Sequence, residues 1–373
     1  MNVGMLTTHG TMNYGGLLQA YALHHTIEDF GHKATFINYV PNMHDIKRHP
    51  IQFVTKRSGF IRKSIFGLRH YGELKKKEGL ISAFRKSYIP CWPSTPIELN
   101  GLPGAVENYD VVCVGSDQLW NLNQPDNANG AYYLDFDRST RTVAYGVSFG
   151  DGIGKAKEQT VQMLSAVKRF DSVSVRELEG QSFLGEHSIQ AEVVLDPTLL
   201  ASGEVWEPFL GRRPLVDGEY ILAYGFSNAN QSYSDLISSA LYASKATGLP
   251  VINPVMTPAM DAAGFTNRYE AGPAEFINLI EHASLVVTSS YHGCIFSFLL
   301  ERPFVAVFNK TGREPRKDTL LNLIGEGNRK VIAGERFEVA QQMHAPKGAN
   351  ASLMEARSRS RAFLREALAE GNA

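Results

Sequence analysis

The apolar positions of this chain fall into short β-branched runs that alternate with helical stripes. Polar residues gather where one gives way to the next. Residues 284–308, SLVVTSSYHGCIFSFLLERPFVAVF, show the pattern most clearly. Ser284–Thr288 is an apolar run closed by small polar residues, which predicts a buried strand. From Gly293 to Glu301, Ile295, Phe298 and Leu299 take the i, i+3, i+4 spacing of a core-facing helix. Arg302-Pro303 interrupts, and Phe304–Phe308 predicts a second buried strand. Strand, helix and strand in so short a span make a βαβ unit, because parallel neighbours in one sheet need such a crossover. Ser289-Ser290-Tyr291-His292-Gly293 then falls at the carboxyl end of a parallel strand and the amino end of a helix. Open α/β sheets hold their ligands there, and the free N–H groups and helix dipole suit an anion.

The rest of the chain repeats the rhythm. Val3–Leu6 predicts a strand, Thr7–Gly16 a loop, and Leu17, Tyr21 and His24 one face of a helix ending near Gly31. Ala34–Tyr39 is the next strand, stopped by Pro41. Gly15-Gly16 marks either a close approach of backbone or a tight turn and nothing more. Asp110–Trp120, DVVCVGSDQLW, predicts a buried strand running into Gly115-Ser116-Asp117-Gln118. Asp117 and Gln118 stand at the ligand edge, with an Asp capping the next helix as the competing reading. Thr142–Val147 and Ser172–Val175 are further strands, the second followed by Arg176-Glu177, and Glu192–Leu195 is closed by Asp196-Pro197-Thr198. Repeated strand-then-polar endings argue for a doubly wound sheet. The pattern loosens over Ala201–Gly218, which marks a domain boundary. Beyond it, Tyr220–Tyr224 and Pro250–Asn253 predict strands, and Gly225-Phe226-Ser227-Asn228 a loop. Ser234–Ala246 and a segment opening at Gly272-Pro273 predict helices. A basic loop with Lys310, Arg313, Arg316 and Lys317 precedes a short helix, Leu320–Ile324. Ser352–Glu370 predicts a polar helix able to pack back on the first domain.

Length adds that 373 residues exceed one ordinary core, so two domains are expected. The composition, 43% hydrophobic and 20% charged, is that of a globular chain. A formal net charge of -1 gives no electrostatic case for nucleic acid. Charge is uneven, however. From Lys47 to Lys86 the chain holds twelve Lys or Arg against Glu73 and Glu78, with aromatics and aliphatics interleaved. A solvated helical insertion accounts for this stretch, and so does a basic amphipathic surface that meets anionic lipid or a polyanionic acceptor. Cys91, Cys113 and Cys294 lack metal-ligand spacing, and Cys113 and Cys294, set in apolar runs, read as buried reduced thiols in a reducing compartment. The N-terminus has no basic n-region or long apolar core, and no 18-residue apolar run occurs. The expected location is therefore cytoplasmic, with peripheral contact at the inner face of the membrane as an extension.

The chemistry centres on His292. Imidazoles titrate near neutrality, which suits a proton donor or acceptor at a strand-to-helix turn. The basic residues after Phe308 follow a neighbouring strand and could reach the same crevice, where guanidinium groups hold carboxylate or phosphate by paired hydrogen bonds. No HExxH, CxxC or Asp-x-Asp cluster points to a metal. Walker A, a GxGxxG after a strand and a GxSxG elbow are also missing, which disfavours nucleotide hydrolysis, hydride transfer and acyl-serine chemistry.

Taken in order, several stretches resemble the polysaccharide pyruvyl transferase family. They are Asn13-Tyr14-Gly15-Gly16 with Leu18-Gln19-Ala20-Tyr21-Ala22-Leu23, Val114-Gly115-Ser116-Asp117-Gln118-Leu119-Trp120-Asn121 and Ser174-Val175-Arg176-Glu177, followed by Val194-Leu195-Asp196-Pro197-Thr198 and Thr288-Ser289-Ser290-Tyr291-His292-Gly293. The resemblance implies two Rossmann-like, doubly wound domains in a GT-B-like arrangement with an inter-domain cleft. It also implies transfer of pyruvate from phosphoenolpyruvate to two hydroxyls of one sugar in a cell-surface polysaccharide or its lipid-linked precursor, without cofactor or metal. His292 then serves as acid, and Asp117 as base or hydroxyl ligand. Donor contacts fall to Ser289, Ser290, Tyr291, Gly293, Arg313, Arg316 and Lys317. Acceptor contacts fall to Asn13, Tyr14, Gly15, Gln19, Gln118 and Trp120, with Asn13 and Gln19 alternatively ordering their loop. Many members carry Arg two residues before the His-Gly histidine. Ser290 stands there in this chain, so Arg313, Arg316 or Lys317 must grip the donor. The implied layout is an acceptor-side domain over 1–205 with a basic insertion at about 43–90, a donor-side domain over 206–345 and a C-terminal helix over 350–373. A GT-B glycosyltransferase using a nucleotide sugar and a non-catalytic partner in envelope-polymer assembly are the alternatives.

Overall fold

The computed structural model describes residues 1–41, 66–124, 127, 129–153, 157–227 and 232–369. These gather into two compact units. One holds 1–41, 85–205 and 354–369, and the other holds 66–84 and 206–353.

The first unit is built on a parallel sheet of seven strands. They are β1 (Asn2–Leu6), β2 (Lys33–Tyr39), β3 (Cys91–Ile97), β4 (Val111–Asp117), β5 (Arg141–Val147), β6 (Ser172–Val175) and β7 (Glu192–Val193), in the order β3-β2-β1-β4-β5-β6-β7. β1 pairs with β2 through Val3 and Ala34 and with β4 through Val3 and Val111. The chain order reverses between β1 and β4, which puts a topological switch point at the carboxyl ends of those two strands. Val111, Val112, Cys113 and Val114 are all sealed from solvent, as expected of a parallel strand covered on both faces. β3 escapes the sequence pattern because CWPSTPI carries two prolines and runs largely exposed along the sheet edge. The helix Ala351–Leu368 buries Leu364 and Leu368 in this unit, and its Arg357 Nε donates to the Leu199 carbonyl at 2.9 Å. Of the helix expected over Ser352–Glu370, Glu370 lies outside the described residues.

The second unit carries six parallel strands. They are β8 (Ile221–Tyr224), β9 (Val251–Asn253), β10 (Thr266–Asn267), β11 (Leu285–Thr288), β12 (Phe304–Phe308) and β13 (Lys330–Ile332), in the order β10-β9-β8-β11-β12-β13. Ile221, Ala223, Leu285, Val287, Val305 and Val307 form its core with Leu236, Ala240 and Ala243 of the helix Tyr233–Thr247. A second switch point falls between β8 and β11, where Tyr224 pairs with Thr288. Asn228 of the expected loop lies outside the described residues.

The basic stretch behaves differently from the expectation. Residues 42–65 lie outside the described residues, and the part through Phe84 packs with the second unit, not as an insertion in the first. The helix Tyr71–Tyr88 buries Leu74, Lys77, Ile81 and Phe84, a stripe that needs an apolar partner. Phe84 meets the Phe209 ring at 5.8 Å, and His70 meets the edge of Tyr269 at 5.0 Å. Among the described residues, no helix is long and apolar enough to cross a membrane.

Candidate functional site

Each switch point carries a constellation of polar side chains. In the second unit the turn after β11 is tied to β8. Thr288 Oγ1 donates to the Tyr224 carbonyl at 2.6 Å and accepts the Ser290 N–H at 3.0 Å, while Ser289 N–H donates to the same carbonyl at 3.1 Å. Ser290 is the N-cap of the helix Tyr291–Leu299, its Oγ accepting from Gly293 N–H at 3.3 Å. Gly293 is required by close approach, since a Cβ there would stand 2.2 Å from Thr288 Oγ1. It is thus a packing residue of the turn. His292 is the second residue of the helix and only 5% exposed, with its ring edge-on to Tyr291 at 5.4 Å. The Arg316 guanidinium lies 5.5 Å from the centre of the Tyr291 ring, so a cation reaches the turn.

Of the other two basic candidates, Lys317 does not serve as expected. Lys317 is buried, and its ammonium is consumed by the Ser289 carbonyl at 3.2 Å, the Val307 carbonyl at 2.6 Å and Glu314 at 2.9 Å. Burial pushes its pKa down against the opposing pull of Glu314. Lys317 therefore ties the ends of β11 and β12 together and does not offer its charge to a donor. Arg313 is exposed; its contacts to the neighbouring loop come from its backbone, the N–H to Thr311 and the carbonyl to Asn309.

In the first unit the loop after β1 starts the helix Tyr14–Asp29, capped by Asn13, whose Oδ1 accepts from Gly15 N–H at 3.0 Å. Tyr14 is buried at the start of that helix. Asp117 ends β4 with a left-handed backbone (φ +84°), uncommon for a residue bearing a Cβ but tolerated by Asp. Its carboxylate stands over the glycine pair, Oδ2 lying 3.7 Å from where a Cβ on Gly16 would sit. The structure thus brings Asp117 and the Asn13–Gly16 loop to one edge. Gln118 is half-buried, its Oε1 accepting from Asn121 Nδ2 at 3.0 Å.

Two acceptor assignments are corrected. Gln19 is sealed from solvent: its Nε2 donates to Thr7 Oγ1 and the Gly16 carbonyl, both at 3.0 Å, and its Oε1 accepts from Ser116 N–H at 3.1 Å. With the amide spent, Gln19 orders the loop. Trp120 is fully buried among Phe149 and Phe170, with its indole N–H given to the Tyr132 carbonyl at 3.0 Å. It is core.

The sequence pattern does not reveal Arg176 and Asp196 as parts of this site. Arg176 is completely buried and forms a fork between two carboxylates, Nη1 to Asp196 and Nη2 to Asp117 Oδ1 at 3.1 Å. Asp196 also accepts from Thr198 N–H at 2.9 Å and Thr198 Oγ1 at 2.6 Å. The polar strand endings of β4, β6 and β7 therefore meet as one network that orients Asp117. In the sequence Arg176 and Asp196 stand in two of the family-like stretches, each after a predicted strand, but nothing there says that these strand ends converge. Among the described residues no group of three His, Cys, Asp or Glu could hold a metal ion.

A family model for polysaccharide pyruvyl transferase matches residues 13–310, a span that contains the Asn13–Gly16 loop, Asp117, Arg176, Asp196 and the Ser289–Gly293 turn. The chain belongs to the polysaccharide pyruvyl transferase family. Among solved structures, this family member is similar to sugar-nucleotide epimerases. A UDP-N-acetylglucosamine 2-epimerase candidate from Listeria monocytogenes has 10% identity and a TM-score of 0.55, over 100% of this chain and 97% of that one. The Methanocaldococcus jannaschii UDP-GlcNAc 2-epimerase in complex with UDP-GlcNAc and UDP has 13% identity and a TM-score of 0.53, over 98% and 99%. The Neisseria meningitidis enzyme bound to UDP-GlcNAc has 9% identity and a TM-score of 0.50, over 98% and 100%. At these identities the likeness shows the fold alone, which is GT-B-like α/β with two parallel sheets. A search of curated proteins finds no match.

Proposed function

We propose that this pyruvyl transferase family member transfers pyruvate from phosphoenolpyruvate to two hydroxyls of one sugar, in a cell-surface polysaccharide or its lipid-linked precursor. The observation that supports the reading most is the family match from residue 13 to 310, which takes in His292, Asp117 and the loop at Asn13. The reaction starts with proton delivery to C3 of phosphoenolpyruvate, which makes the methyl group and gives C2 oxocarbenium character. One hydroxyl oxygen bonds to C2, the C2–O bond to phosphate breaks, and the second hydroxyl closes the ketal. Of the two hydroxyl protons, one balances the proton gained at C3 and the other leaves with phosphate.

In this assignment His292 delivers the proton, as an imidazole at a strand-to-helix turn is suited to do. Ser290, Tyr291 and the helix amino end receive the donor's anionic groups, with Arg316 supplying a cation. Asp117, held by Arg176, takes a hydroxyl proton, and Asn13, Tyr14, Gly15 and Gln118 surround the acceptor. The reaction balances without a cofactor. The outward residues Leu68, Tyr71 and Lys75 would favour work on an acceptor at an anionic lipid surface.

The test is phosphate release from phosphoenolpyruvate against a panel of glycosides, with sugar nucleotides run in parallel. The expected result is acceptor-dependent phosphate with a stoichiometry of one per ketal. Release of nucleoside diphosphate from a sugar nucleotide, with phosphoenolpyruvate untouched, would contradict it and favour a glycosyltransferase.

A further inference from the structure

The second sheet's carboxyl edge carries a cavity away from the His292 turn. A cavity of about 430 Å³ is lined by His70, Glu73 and Lys76 from one side and by Arg268, Tyr269 and Glu270 from the other. β10 ends at Asn267, so Arg268 to Glu270 leave that strand at its carboxyl end. All six strands are parallel, and this is the edge that Ser289–His292 occupies after β11. β9 and β8 stand between β10 and β11, a separation of three strand spacings or roughly 14 Å.

The charges lining the cavity are unequally matched. Glu73 lies 3.4 Å from His70 Nδ1, and Asp261 lies 3.5 Å from His70 Nε2 and 3.6 Å from Arg69. Glu270 acts on the buried Lys77, opposing the fall in its pKa that burial causes. Arg268 and Lys76 have no side-chain hydrogen bond or ion pair among the described residues. Arg268 is half-buried on a fixed stem, its N–H bonded to the Asn253 carbonyl at 2.8 Å. A half-buried guanidinium without a partner loses hydration and gains nothing in return, unless a ligand supplies the anion.

We infer that this cavity is a second subsite, which binds an anionic group, carboxylate or phosphate, on an extended acceptor whose reacting hydroxyls lie at the His292 turn. The acceptor's identity as a saccharide rests on the pyruvyl-transfer reading; the anion site rests on the cavity and on Arg268.

Three probes test it on the full chain: a tetrasaccharide containing glucuronic acid, its carboxyl-reduced neutral counterpart, and a disaccharide on a short-chain prenyl diphosphate. Calorimetry on wild type should show one anionic probe binding at least tenfold more tightly than the neutral one. Which probe shows it tells whether the anion is a sugar carboxylate or a lipid-carrier phosphate. Arg268→Gln should abolish the preference with an unchanged melting temperature, and Lys76→Gln should weaken it severalfold. In turnover, KM for the preferred probe should rise about tenfold in Arg268→Gln while kcat holds. Equal binding of all three probes by wild type, or a preference that survives Arg268→Gln, would overturn the subsite. A preference lost in Arg268→Gln without phosphate release from phosphoenolpyruvate would uphold the subsite and sink the pyruvyl-transfer reading.

Discussion

Arg176 sits sealed between two carboxylates, so its removal strands charge in the interior. Arg176→Met should destabilise the protein by about 3–5 kcal/mol, because a buried pair that loses one member leaves the other uncompensated. The urea midpoint reads this, and a shift worth less than about 1 kcal/mol would show that the network is wetter than it stands. His292 makes the complementary case. His292→Ala should lower kcat by on the order of a hundredfold or more while circular dichroism stays native. Unchanged turnover would remove its role as acid. The two residues also differ in how they could be found. The turn that carries His292 is legible because its cue is local, a polar stretch between a strand and a helix. Arg176 and Asp117 are 59 residues apart, and no periodicity says that the ends of β4 and β6 converge. Lys317 misled for the opposite reason. Its sequence surroundings are those of a solvated loop, yet the backbone carbonyls at two strand ends draw its ammonium inside.

Elements show where local pattern suffices and where tertiary contact decides. The turn between β11 and the helix Tyr291–Leu299 depends on a position without a side chain. Gly293→Ala would drive a methyl against Thr288 Oγ1, and overpacking of this kind costs about 1–3 kcal/mol. A clear drop in melting temperature is expected, and an unchanged one would mean the turn is looser than described. The helix Tyr71–Tyr88 lies largely in the basic stretch for which a helical insertion is one reading, but nothing in its interleaved apolar residues names Phe209 as a partner. That helix also carries a pH signature. Burial lowers Lys77 to about 7 from 10.5, with Glu270 opposing. Between those values the folded chain binds fewer protons than the unfolded one, so this group's contribution to stability rises with pH through the window. Lys77→Met removes the burden. Its urea midpoint should exceed that of wild type near pH 7, and the gap should narrow toward pH 10. A gap independent of pH would contradict the assignment.

At the scale of the molecule, two parallel sheets each place a switch point under a polar constellation. The alternation of β-branched runs with helical stripes carried that architecture, because parallel strands buried on both faces leave a continuous apolar record. β3, β10 and β13 left little record, being edge strands that are short or proline-bearing. The proposed chemistry rests on the family match, since the fold alone hosts many reactions. Incubating the enzyme with phosphoenolpyruvate labelled with ¹³C at C2 and an accepted glycoside tests the central claim most directly. Carbon NMR should show the labelled vinyl carbon converted into a ketal carbon bonded to two sugar oxygens, with one phosphate released for each. Label that remains in phosphoenolpyruvate across every acceptor, or that appears as free pyruvate alone, would contradict it.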